Sequence, residues 1–196
     1  MKIHQFFAIT VLVASSFATS LQAAIVQYDL IGSNRPGLHF LNEPAVTSGG
    51  TGGEIGAGIT LDTLTNLLTI SNVGWGSSAS AGFSNLTSTV TQSHIHGPTP
   101  AANGGGGFTQ TASVLFGLTR SSSATTGGTF TNAPIALTAA QVLELNAGRY
   151  YINIHTGNNT GGELRGFIVT AVPEPSSMAL MIAGSACALL RRRRQR

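Results

Sequence analysis

The chain has 196 residues, 25 of them glycine, with a formal charge of +3 and a sequence pI near 9.6. Most of the positive charge is terminal. Between Ile25 and Val172 four arginines meet six carboxylates, which leaves −2 and excludes a basic surface for nucleic acid. The only cysteine is Cys187, so residues 25–171 carry no disulfide and must be held by core packing, with a metal ion as an additional staple to look for.

The chain begins with a positive Lys2, a mostly apolar run at 6–17 and small residues at 20–24, which together read as a secretory signal peptide over 1–24. Residues 25–171 then form one expected domain. Ile25–Ile31 alternates as a first strand, 32–37 turns the chain, and 38–44 fits strand and loop alike. Glycines at 49, 50, 52 and 53 mark a turn. Residues 54–61 alternate again and pair, across the polar turn 62–66, with 67–73 as a hairpin. Residues 74–90 read as a long loop anchored by Trp75, Phe83 and Leu86, followed by a strand at 91–96 and a flexible crossing at 97–107. Another strand is expected at 114–118. An edge strand follows at 129–135, because Pro134 would leave a gap in a central ladder.

Residues 138–145 are the one expected helix, with Thr138 capping the first turn and Gln141 placed for a capping box. Tyr150, Ile152 and Ile154 then alternate with Tyr151, Asn153 and His155, a glycine-rich turn follows at 157–162, and 164–169 resumes as a strand. Many short antiparallel strands with one short helix predict an all-β fold, a single Greek-key-like β-sandwich or barrel.

Candidate chemistry lies where this late hairpin meets Ser93–Pro98. His94 and His96 stand two apart on an expected strand, so they face one side about 6.6–6.8 Å apart. His155 is a third neutral nitrogen ligand if its strand neighbours theirs. Three imidazoles suit Zn²⁺ or Cu²⁺ and leave one position for water or an acid. Glu163 is a fourth candidate, as a ligand, as an acceptor behind the ligands, or as the partner of Arg165. The competing account is a structural hydrogen-bond cluster in which these residues satisfy loop backbone groups. No domain cysteine, G-x-S-x-G, H-E-x-x-H or phosphate-binding glycine motif is present, and Asp29, Asp62 and Glu144 show no pairing for glycoside chemistry.

Two segments carry a resemblance to a known family. Ser93, His94, Ile95, His96, Gly97 and Pro98, then Tyr151, Asn153, Ile154, His155, Thr156, Gly161, Gly162, Glu163, Leu164, Arg165 and Gly166, resemble the CHRD domain, the module named from chordin. The resemblance covers roughly residues 25–172 and implies a secreted all-β domain with no established enzyme activity. The H-x-H pair and late histidine are also faintly similar to the copper ligands of Cu/Zn superoxide dismutases. The disulfide pair and the larger histidine set of that family are missing here.

The tail resembles the PEP-CTERM sorting signal of Gram-negative, exopolysaccharide-producing bacteria: Pro173, Glu174 and Pro175 form the motif within 172–196. Thirteen uncharged residues at 178–190 and an arginine cluster follow it. Thirteen helical residues span about 20 Å, short of the roughly 30 Å hydrocarbon core, so a transmembrane helix here needs help from its flanks. The resemblance implies export through the Sec translocon, a transient inner-membrane stage, removal of the tail by an exosortase-like enzyme and a final place in the envelope or extracellular matrix. The expected function is therefore non-enzymatic: an exported matrix domain that binds exopolysaccharide or protein. The alternative is a metal-binding or redox protein using His94, His96 and His155.

Overall fold

The computed structural model describes residues 24–171. The strands are β1 (Ile25–Ile31), β2 (Leu38–His39), β3 (Thr51–Glu54), β4 (Ile59–Asp62), β5 (Leu67–Thr69), β6 (Val73–Trp75), β7 (Val90–His96), β8 (Val114–Gly117), β9 (Gly128–Thr129), β10 (Ile135–Ala136), β11 (Tyr150–Thr156) and β12 (Leu164–Thr170), with one α-helix, α1 (Ala139–Asn146). All pairings between strands are antiparallel.

β12 organises the molecule. Along one edge it pairs with β1 through Phe167–Thr170 and with β2 through Arg165. That edge therefore feeds two arms, β1-β4-β5-β10 and β2-β3-β6-β9. Its other edge pairs with β11, which continues to β7 and β8. The result is a sandwich-like wrap that does not close into a barrel. Between the inner faces lies one apolar core containing Tyr28, Leu30, Leu38, Trp75, Ile95, Tyr150, Ile152, Ile154, Leu164 and Ile168.

Alternation in β11 is what makes two faces. Tyr150, Ile152 and Ile154 join that core, whereas Tyr151, also buried, packs on Phe167 with ring centroids 5.1 Å apart on the opposite face. The segment between β7 and β8 covers this second face: Phe108 meets Phe167 edge-on at 5.6 Å, and Ala112 bonds to Tyr151. A strand buried on both faces is a place where polar side chains need fixed partners.

The helix forms where the sequence predicts it, one residue displaced. Thr138 Oγ1 accepts from the Gln141 backbone N–H at 3.2 Å, and the Gln141 side chain accepts from Thr138 N–H at 2.8 Å, a complete capping box. Thr138→Ala should lower stability by about 1 kcal/mol in a urea titration, since one helix N–H loses its acceptor and the opposing bond loses its geometry. Buried Leu145 seats the helix, and Asn146 Oδ1 accepts from the Tyr28 hydroxyl at 2.5 Å.

Several expected elements change. The run at 54–61 is two strands, β3 and β4, because Gly56 and Gly58 take φ of 62° and 68° and turn the chain between them. The hairpin partner at 67–73 likewise divides into β5 and β6. Trp75 is a fully buried strand residue rather than a loop anchor. Residues 129–135, expected to include one short edge strand, instead link two, β9 and β10, which lie at the outer ends of the two arms.

Among the described residues no helix is long and apolar enough to cross a membrane, so the expected transmembrane helix is not found there. The stretch at 178–190 that prompted it, the sorting motif Pro173, Glu174 and Pro175, and residues 1–23 of the expected signal peptide at 1–24 all lie outside the described residues.

Candidate metal centre

β7 and β11 bring the three expected histidines together. Their register sets His96 opposite Tyr151, His94 opposite Asn153 and Gln92 opposite His155, with a bulge between His155 and Thr156. Directly opposed residues share a face, so His94, His96 and His155 converge on the side away from the main core. Ring centroids are 5.5 Å apart for His94 and His96, 5.1 Å for His94 and His155, and 5.7 Å for His96 and His155. One nitrogen from each ring lies within 4.8 Å of the other two, a group able to coordinate a metal ion.

Hydrogen bonds at the far side of two rings decide which nitrogens are available. His96 Nδ1 is 3.0 Å from the Ala112 carbonyl, and His155 Nδ1 is 2.8 Å from the Thr160 carbonyl. A carbonyl only accepts, so both Nδ1 atoms carry the proton and both Nε2 atoms keep their lone pairs. This is the way metal-binding histidines are held, with the outer nitrogen donating to a fixed acceptor. His96 Nε2 is buried and makes no hydrogen bond among the described residues. The remaining contact is His94 Nδ1 to His155 Nε2 at 3.3 Å. That matches the edge of a tetrahedral site, about 3.3 Å for bonds of about 2.0–2.1 Å.

Beneath the histidines is a stack of three groups. The His96 ring lies on Tyr151 at 4.9 Å with 9° between planes. The Arg165 guanidinium carbon sits 4.5 Å from the Tyr151 ring centre. Arg165 is 1% exposed and is neutralised by Glu43, with Nη2 donating to Oε1 at 3.3 Å and Nε 2.9 Å from Oε2. The stack fixes His96 from below while Ala112 fixes it from the side.

Burial is the main influence that lowers the His94 pKa from its ordinary 6.5, with His155 and Arg120 adding to it. For His96 burial again dominates; the Ala112 hydrogen bond opposes it, and His155, His94 and Arg165 reinforce it. Both shifts favour the neutral imidazole, the form that ligates.

Glu163 does not join the three histidines. It is fully buried and accepts five hydrogen bonds. Oε1 accepts from Gly50 N at 3.0 Å and Thr87 N at 2.8 Å; Oε2 accepts from Thr87 Oγ1 at 2.7 Å, Thr156 Oγ1 at 2.8 Å and Asn159 Nδ2 at 3.3 Å. Burial would raise its pKa, but the bonds from Thr87, Thr156 and Gly50 outweigh it and leave the carboxyl below its ordinary 4.5. Its role is to pin the loops of Gly50 and Thr87 to the end of β11 and to the β11–β12 turn. Nor does it pair with Arg165, whose partner is Glu43.

Ala112, Thr160, Tyr151 and Arg165 support the centre but were not singled out from sequence for those roles. Tyr151 alone had a signal, its place on the His155 side of the strand alternation. The carbonyls of Ala112 and Thr160 are backbone groups that any residue supplies.

Residues 171–194 match the PEP-CTERM protein-sorting motif, which marks an exported chain processed at the cell envelope by an exosortase-like system. No curated protein and no solved structure matches the chain. Residues 30–168 match the CHRD domain, a span that holds all three histidines and both halves of the β11–β12 hairpin, and the chain belongs to the CHRD domain family.

Proposed function

We propose that this exported domain binds one transition-metal ion, zinc or copper, through His94 Nδ1, His96 Nε2 and His155 Nε2. The observation that carries this reading is the state of the nitrogens. Two outer N–H groups are committed to backbone carbonyls, and the inner His96 Nε2 is buried with no partner. A purely structural hydrogen-bond cluster gives no reason for that lone pair to sit among two further imidazoles, since an unmet buried acceptor costs roughly 1–3 kcal/mol. A metal ion gives it a partner. Three neutral nitrogens are a borderline donor set that suits zinc and copper and disfavours calcium or magnesium.

The reading assigns binding and no turnover. Glu163, the carboxylate nearest in sequence to the histidines, already accepts five bonds, so it is not available as a general base. The sorting motif supports a working place outside the inner membrane, where a domain with no cysteine has packing and metal as its means of stabilisation.

Binding to the folded state alone raises the melting temperature. Zinc or copper at a free concentration 100 times Kd should add about 2.7 kcal/mol, seen as a thermal shift of several degrees that a chelator reverses. A melt unchanged by zinc, copper and chelator would remove the basis of the proposal.

A further inference from the structure

Three histidines leave a coordination position open, and His94 and His155 are both partly exposed, so that position faces solvent. Beside His94 lies a cleft of about 360 Å³ lined by residues that include Gln92, Gly117, Thr119 and Arg120. It has two features that hydrogen bonding within the fold does not explain.

The first is Arg120. Its guanidinium is clamped: Nε donates to Ser123 Oγ at 3.1 Å, and Nη2 donates to the carbonyls of Thr91 at 3.1 Å and Val90 at 3.4 Å. The Nη1 end makes no hydrogen bond and the side chain forms no salt bridge among the described residues, whereas Arg149 and Arg165 are each paired with a glutamate. No carboxylate lines the cleft. A rigid cation with one edge unspent is preorganised for an anion.

The second is Gly117. It stands opposite His94 in the β7–β8 ladder, so its missing side chain would have shared the face of that imidazole. A Cβ built there meets nothing within 4 Å, and its backbone is outside the left-handed region. The glycine is therefore not required by the local fold, and its effect is to keep the flank of His94 open.

We infer that the cleft between His94 and Arg120 receives a carboxylate, held by the Arg120 guanidinium beside the open position of the metal. This rests on the metal-binding reading above. The metal adds positive charge to a cleft that already holds an unpaired arginine and no acid, so an anion is favoured over a neutral ligand. Two sources offer that chemistry, a free small carboxylic acid or a uronic-acid unit of an extracellular polymer.

The test uses the copper-loaded protein and its visible and electron paramagnetic resonance spectra. Glucuronate should shift them saturably, and glucose at the same concentration should not. Arg120→Gln should weaken glucuronate at least tenfold while copper stoichiometry stays at one. Gly117→Val, which keeps every clamp on Arg120, should weaken it similarly by filling the space beside His94. A polyuronate that binds more tightly than glucuronate at equal carboxylate concentration assigns the polymer; equal binding assigns the small acid. Copper bound with no glucuronate effect, or unchanged affinity in both variants, overturns this inference alone. Failure to load copper or zinc at all overturns the metal reading with it.

Discussion

Glu163→Ala is expected to destabilise the domain by about 4 kcal/mol, near the top of the range for single substitutions. The side chain is fully buried, and its removal leaves Gly50 N, Thr87 N, Thr87 Oγ1, Thr156 Oγ1 and Asn159 Nδ2 without their acceptor. Each unmet buried donor costs roughly 1–3 kcal/mol, and rearrangement or water entry recovers part of it. Glu163→Gln separates charge from shape. Its NH₂ can turn toward the Thr87 and Thr156 hydroxyls, which also accept, while the amide oxygen keeps the two backbone donors. The expected loss is smaller, about 2 kcal/mol.

The pH dependence follows from the direction of the shift. A carboxyl held below its ordinary 4.5 in the folded state contributes stability that is fully present above the unfolded value. That contribution is lost as pH falls through the lower folded value. The wild type should therefore weaken on acidification below about pH 4.5, and Glu163→Gln should lack that part of the slope. Urea titrations at a series of pH values measure both. A Glu163→Ala variant within about 1 kcal/mol of wild type would mean that the five bonds do not hold these loops.

His96→Ala should weaken zinc or copper binding by at least about 100-fold, since even outer-shell partners of metal ligands cost about 10–100-fold. This residue also supports the fold, through its stacking on Tyr151 and its bond to Ala112, so the variant loses metal-free stability as well. His155→Ala provides the control. Its ring is partly exposed and its hydrogen bond to Thr160 is at the surface, so it should lose metal with little change in the metal-free melt. Competition against a chromophoric chelator gives both affinities. Equal metal affinity in wild type and both variants would place any bound metal elsewhere.

Sequence periodicity revealed the parts of this fold that are local. Ile25–Ile31 and β11 show the two-residue alternation of strands with unlike faces, and α1 begins at a capping box written in consecutive residues. The β3–β4 division was not legible, because residues 54–61 alternate as a strand does. Nothing in the letters says that Gly56 and Gly58 use their left-handed freedom to turn. The histidine triad was legible as far as H-x-H and one distant histidine; what joins them is the β7–β11 register, a tertiary fact. The Glu43–Arg165 pair is 122 residues apart in sequence, whereas Glu163 and Arg165 are two apart, and proximity in sequence pointed to the wrong partner. The covering role of the segment between β7 and β8 was not legible for the same reason. Its glycine-rich composition reads as a mobile crossing, yet its Ala112 carbonyl sets the tautomer of His96.

The central claim is that three nitrogens on two neighbouring strands hold a metal ion in the exported protein. Its most direct test is elemental analysis of the protein purified without an affinity tag, before and after exposure to zinc and copper, alongside the variant His94→Ala/His96→Ala/His155→Ala. The account predicts about one equivalent of zinc or copper per chain in the wild type and none in the triple variant. Less than about 0.1 equivalent in the wild type after reconstitution, or an equal content in both proteins, would contradict it.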